Sequence, residues 1–219
     1  MEFINQDNGK IAVGKALFQI SQTQNPKISS FDYDSREDAE MLLLEFYRRE
    51  MKHNEQDMNV LMSYIRQVID WAMNPQKNCL MLMGGVGCGK TTMLNAFCRM
   101  TNRLYYSNIS YERRGFQWES AYVLNEWART NKDRYEEFKK CEWAAIDDLG
   151  LEATEVSDYG TILYPIRDIL LHRYEHGLLT LVSTNYLPNA LTEKYGTRIG
   201  DRLAEMMQII TFKESSYRR

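Results

Sequence analysis

Positive charge is in short supply: 27 lysines and arginines face 30 aspartates and glutamates, which leaves a net charge of −3 over 219 residues. That balance excludes a protein that coats DNA through overall basicity, so any contact with nucleic acid has to come from a local patch. Cysteine is scarce as well. Cys79, Cys88, Cys98 and Cys141 lie at spacings that fit neither a zinc knuckle nor a secreted disulfide framework. They read as reduced core or loop residues. No apolar run approaches the length needed to span a bilayer, and Met1-Glu2-Phe3-Ile4-Asn5-Gln6-Asp7 lacks the basic-then-apolar order of a secretion signal. The expectation is a cytoplasmic protein without membrane contact. With 44% hydrophobic and 26% charged residues, the chain can build one α/β core plus an appendage, but hardly two full domains.

What the sequence does contain is centred on Leu80-Met81-Leu82-Met83-Gly84-Gly85-Val86-Gly87-Cys88-Gly89-Lys90-Thr91-Thr92. An apolar run, a glycine loop and an amphipathic segment follow one another, which reads as strand, P-loop and helix. Gly84, Gly89, Lys90 and Thr91 fill the fixed positions of G-x-x-x-x-G-K-[ST]. In that motif glycines let backbone N–H groups curl around phosphate oxygens, the lysine reaches the outer phosphates and the hydroxyl holds Mg²⁺. The helix behind the loop adds its positive dipole end. Met93, Phe97 and Met100 recur at helical spacing and give that helix an apolar face to lay on a sheet.

Upstream, residues 1–34 are polar and weakly periodic, with one predicted strand around 11–20 and a turn near Asn25-Pro26. Ser35 with Asp38 resembles a capping box, and Met41, Leu44, Tyr47 and Met51 then form a stripe, which predicts a helix over about 36–52. A second helix, 58–73, places Leu61, Ile65, Val68, Ile69 and Ala72 on one face before Asn74-Pro75 stops it, and is expected to pack against the P-loop strand. We divide the chain into an N-terminal extension, 1–57, and an ATPase core, 58–219.

Downstream of the P-loop helix, 104–109 is predicted as the second strand. In the following Tyr111-Glu112-Arg113-Arg114-Gly115-Phe116-Gln117-Trp118 basic and aromatic residues interleave, a pattern that suits single-stranded nucleic acid through phosphate charge and base stacking. Solvated loop residues mixed with aromatics tucked into the core give the same pattern. Helices over 119–130 and 132–140 follow, the second capped by Asn131. Trp143-Ala144-Ala145-Ile146-Asp147-Asp148 is then a short apolar strand ending in two carboxylates, as a Walker B segment requires. There Asp147 holds Mg²⁺ through the metal's water shell, and Asp148 orients or deprotonates the attacking water. A helix is predicted within 159–176, which Pro165 either kinks or starts. Leu178 to Asn185 form a buried strand with a polar tip, where Asn185 is an amide suited to sensing the γ-phosphate and the water; a turn-forming asparagine is the alternative reading.

The order of these parts resembles the bacterial helicase loaders of the DnaC/DnaI type and the related IstB transposition helpers, which are lidless AAA+ ATPases. The resemblance runs over about 58–219 and rests on the P-loop, Ile146-Asp147-Asp148-Leu149-Gly150, Ser183-Thr184-Asn185-Tyr186, Arg198-Ile199-Gly200-Asp201-Arg202-Leu203 and Ser216-Tyr217-Arg218-Arg219. It implies an α/β fold, a P-loop NTPase with a parallel sheet of about five strands, helices on both faces and no lid domain. It also implies ATP and Mg²⁺ as cofactors, bound by Gly84, Gly85, Val86, Gly87, Cys88, Gly89, Lys90, Thr91 and Thr92, with Thr91 and Asp147 at the metal. Asp148, Asn185, Arg202 and Arg198 become the catalytic set, with Asn185 as sensor one. Arg202 is the arginine finger that reaches a neighbouring subunit's nucleotide, and Arg198 its competitor.

The same resemblance implies that 99–118, with Arg113 and Arg114, faces single-stranded DNA. The partner is a replicative helicase or, for an IstB-like helper, a transposase, and the chain self-associates with nucleotide. Two departures stand out. Asp148 takes the place of the glutamate many AAA+ proteins carry, which points to slow hydrolysis. The N-terminal region contains no cysteine, so the zinc-bearing partner-binding domain of some loaders is not expected. A small-molecule kinase and a nucleotide-binding scaffold without turnover are the readings from other classes.

Overall fold

Strands buried on both faces read as unbroken apolar runs, and helices that cover them read as one-sided stripes. In chain order the elements are α1 (Arg36–Glu50), α2 (Met58–Met73), β1 (Cys79–Gly84), α3 (Lys90–Tyr106), β2 (Phe116–Ser120), α4 (Ala121–Thr130), α5 (Lys132–Lys140), β3 (Trp143–Leu149), β4 (Val156–Asp158), β5 (Thr161–Leu163), α6 (Pro165–Glu175), β6 (Leu179–Thr184), α7 (Pro188–Tyr195), α8 (Thr197–Met206) and β7 (Met207–Phe212). They come from a computed structural model that describes residues 31, 33–51, 57–106 and 115–213. Five strands form one parallel sheet in the order β2-β3-β6-β1-β7. The strand predicted around 11–20 lies outside the described residues, as do Arg113, Arg114 and 214–219.

Alternation along the strands sorts the core into two layers. Leu80, Leu82, Ala145 and Leu181 point to the side covered by α1, α2 and α3, whereas Cys79, Met81, Ala144, Ile146 and Val182 point to the side of α4 to α8. On α3 the predicted stripe is buried: Met93, Phe97 and Met100 are at most 1% exposed. The second predicted helix shares that core with β1, and its Tyr64 ring stacks on Phe212 of β7 with centroids 4.1 Å apart. Ser35 caps α1 as expected, its Oγ accepting the Asp38 N–H at 3.0 Å. All four cysteines are unpaired, and burial pushes the Cys79 thiol up to about 11.

Phe31 is the largest surprise in the N-terminal part. Its side chain is 3% exposed and its ring meets Trp71, Phe97, Tyr105, Phe116 and Trp143 at centroid distances of 5.3–6.5 Å. The Phe31 N–H donates to the Ala72 carbonyl at 2.7 Å. With Leu43 and Tyr47 of α1 it belongs to the core that α2 and α3 build.

One predicted element is corrected and another is narrowed. The stretch from Leu104 stays helical through Tyr106 because Leu104 and Tyr105 continue the buried stripe of α3, and extending a formed helix is easier than starting a strand. The second strand is Phe116–Ser120, on the sheet's outer edge. The helix predicted within 159–176 is α6, and of the two roles open to Pro165 it takes that of the start, as the first helical residue. Before it, β4 and β5 form a hairpin whose turn residues Tyr159 and Gly160 have φ of 48° and 85°, the pair of positive values a type I′ turn demands. No helix among the described residues is long and apolar enough to cross a membrane.

Candidate functional site

The P-loop, the acid pair and Asn185 gather at the carboxyl end of β1, β3 and β6. β6 lies between the P-loop strand and the carboxylate strand, with Thr184 level with both Met83 and Leu149. The half-buried Asn185 that follows therefore sits between the P-loop and the acid pair. Gly84 ends β1 against the outer strand, where a Cβ would stand 2.4 Å from the Phe212 carbonyl oxygen. Gly87 and Gly89 have φ of 79° and 95°, left-handed values that let the loop's N–H groups converge. Gly85 and Val86 are exposed at the rim, Cys88 is fully buried, and Gly89, Thr91 and Thr92 are half-buried. Lys90 opens α3 and is 5% exposed; its Nζ donates to the Gly85 carbonyl at 2.6 Å and lies 3.6 Å from Cys88 Sγ.

Thr91, in the first turn of α3, donates its hydroxyl to Asp147 Oδ1 at 3.0 Å. Ser183 donates to the same oxygen, so two hydroxyls from two elements hold one carboxylate. Asp147 is 5% exposed. At Asp148 the strand turns: its φ is 54°, a left-handed value that asparagine and aspartate tolerate better than other residues, and the β3–β6 register shifts between Ile146 and Leu149. Such an irregularity re-aims a side chain that would otherwise point to the opposite face. Behind the acids, the buried Glu152 accepts the Gly150 N–H at 2.9 Å and the Tyr195 hydroxyl, tying the loop to α7. Burial, and then the Glu152 charge, hold the Tyr195 phenol protonated. Neither Ser183 nor Glu152 was singled out for chemistry from the sequence, because their partners in the site are set by tertiary pairing.

Arg198 and Arg202 are elsewhere. Both lie on α8, so Arg202 is helical and does not end a strand. Arg198 is exposed and 3.7 Å from Glu175, while Arg202 pairs with Glu205 at 3.7 Å and lies over the Tyr174 ring at 4.6 Å. Tyr174 and Glu175 end α6 just before β6 begins, and the Ala204 carbonyl accepts from Lys77, just ahead of β1. The two arginines thus sit toward the amino end of the strands, opposite their own P-loop.

Of the aromatics near Arg113 and Arg114, Phe116 is 5% exposed in the core, whereas Trp118 is 39% exposed on the edge strand. A groove of about 280 Å³ runs beside Trp118, lined by Trp127, Arg134 and Phe138 among others.

No protein-family model matches the sequence, and no curated protein matches it either. Solved structures do match. The DnaC helicase loader superposes with a TM-score of 0.51 at 20% identity, over 76% of this chain and 98% of that one. A putative primosome component from Streptococcus pyogenes serotype M3 gives 0.53 at 20% identity, over 79% and 90%. DnaI gives 0.51 at 20% identity, over 78% and 93%. What these structures share with this chain is the fold, a parallel sheet with helices on both faces. The resemblance to DnaC/DnaI-type proteins read from the sequence is thus matched in three dimensions, as a likeness of fold.

The donor set at the strand ends fits a phosphate-bound hard cation. Thr91 Oγ1 and the Asp147 carboxylate offer only oxygen, the ligand type Mg²⁺ takes. Lys90 and the loop's N–H groups supply the complementary positive field for phosphates at the start of α3.

Proposed function

We propose that this chain is an ATP-binding and hydrolysing AAA+ protein that acts in DNA replication as a helicase loader and binds single-stranded DNA. The observation that carries the reading is the bond from Thr91, at the end of the P-loop, to Asp147 of an inner strand, beside a buried Lys90 that is held on the loop's own Gly85 carbonyl. Gly84 to Thr92 would cradle the phosphates, and Thr91 with Asp147 would hold Mg²⁺, whose charge would offset that of the phosphates. Asp148 accepts a proton from the attacking water, and Asn185 orients that water against the γ-phosphate. Because the Asp148 side chain is one methylene shorter than a glutamate, turnover is slow and the ATP-bound state is the working state.

Arg202, with Arg198 beside it, serves a neighbouring subunit, which makes self-association nucleotide-dependent. Its place away from its own P-loop supports that reading. We assign the single-stranded DNA contact to 99–118, where Trp118 offers an exposed stacking face and Arg113 and Arg114 the charge. The helicase contact belongs to 1–57, where Met41 of α1 is 59% exposed. The test is steady-state hydrolysis with and without single-stranded DNA, joined to a pull-down from native extract with ATP and again with ADP. Stimulation by DNA and ATP-dependent capture of a replicative helicase are expected. Capture of a transposase moves the protein to the IstB-like class, and phosphoryl transfer to a small acceptor without a DNA effect makes it a kinase.

A further inference from the structure

Ser183 is fully buried in the middle strand, a position where an unbonded hydroxyl is costly and alanine is the simpler residue. Strand alternation places its side chain on the α3 face with Leu181, the face on which Asp147 follows Ala145. There the single hydroxyl does two things. It donates to Asp147 Oδ1 and accepts the Asp148 N–H at 3.0 Å. One oxygen atom thus spans the shift in register at which both carboxylates are aimed.

Thr91 bonds the same Oδ1, but its hydroxyl has a second task. Its oxygen lone pairs are what would meet the metal while its proton stays on Asp147, so its position is shared with the ion, whereas Ser183 has no such second task and fixes the carboxylate from the strand side. We propose that Ser183 is the positioning residue of the metal-binding half of this site, acting through Asp147 on Mg²⁺ affinity and through the Asp148 amide on the aim of the second acid. The proposal rests on the nucleotide reading given above. Outer hydrogen bonds of this kind orient a metal's ligands, and their loss costs about 10–100-fold in metal affinity.

The test uses the full chain with a non-hydrolysable ATP analogue and Mn²⁺ followed by electron paramagnetic resonance, with analogue affinity in EDTA as the check on fold and P-loop. Ser183→Ala is expected to bind the analogue in EDTA within about twofold of wild type and to need about tenfold more Mn²⁺. Ser183→Thr and Ser183→Val have the same shape and differ in the hydroxyl, so Thr keeps the low Mn²⁺ midpoint and Val shares the shift of Ala. Because Ser183 acts through Asp147, adding Ser183→Ala to Asp147→Asn produces no further shift. Equal midpoints for Thr and Val overturn the proposal, and so does a double variant displaced by the sum of the two single shifts. If Ser183→Ala fails to bind in EDTA, the Thr and Val pair decides. A wild-type chain that binds the analogue with no response to Mn²⁺ overturns instead the reading beneath, a different signature from a wild-type response that Val retains.

Discussion

Replacing Arg202 with alanine separates a surface ornament from a part of a neighbour's active site. On its own chain Arg202 is 38% exposed on the side chain, 3.7 Å from Glu205 and stacked over Tyr174. Exposed ion pairs contribute little to stability, so the variant should fold and melt like wild type. Its place argues against a cis role: Arg202 sits toward the amino end of the strands, and the six residues of β1 put roughly 20 Å between that end and the P-loop. An arginine acting across an interface is worth about 10³ in turnover, or about 4 kcal/mol of barrier, with little effect on nucleotide affinity. Arg202→Ala should therefore bind ATP as the wild-type monomer does, yet lose concentration-dependent hydrolysis by about that factor. A head-to-tail contact of this kind also allows complementation. Mixed with Lys90→Ala, whose ATP binding is expected to be severely weakened but which retains its arginine, Arg202→Ala should regain part of the activity, read as phosphate release at fixed total protein. If the two variants co-assemble and the mixture stays inactive, the reasoning for Arg202 fails and Arg198 takes its place.

Asp148→Asn should keep ATP and Mg²⁺ bound while slowing turnover, since an amide cannot accept a proton from water; affinity that falls as far as the rate makes Asp148 a metal ligand. Phe31→Ala should cost about 3–5 kcal/mol, because it empties a site walled by five aromatic rings, and urea titration with an unchanged slope reads it. A loss below about 1 kcal/mol would show that Phe31 is not part of the core. Arg113→Ala with Arg114→Ala should lower the salt slope of single-stranded DNA binding by up to about two units, and an unaltered slope returns both to a solvated loop.

Local motifs were legible and pairings were not. The P-loop and the acid pair are contiguous in the chain, so backbone freedom at Gly87 and Gly89 and the carboxylates at Asp147 and Asp148 could be read directly. The cap at Ser35 and the stripe of α3 were equally local. What periodicity does not carry is which strand lies beside which. Placing β6 between β1 and β3 is what brings Ser183 to Asp147, over thirty residues apart in sequence. Leu104 and Tyr105 mislead because apolar and aromatic residues suit a strand, yet here they complete a helix face already buried. Phe31 went unread for a similar reason, being a single aromatic in a polar stretch whose partners come from α2, α3, β2 and β3.

The account depends most on the claim that the loop from Gly84 to Thr92 holds the phosphates of ATP. Titration calorimetry of ATP with Mg²⁺ into the wild-type chain and into Lys90→Ala addresses it alone. Lys90 is the buried cation at the start of α3, and losing its charged contacts to the outer phosphates is expected to weaken binding by about a hundredfold or more. Equal affinity in the two proteins would contradict the account at its root.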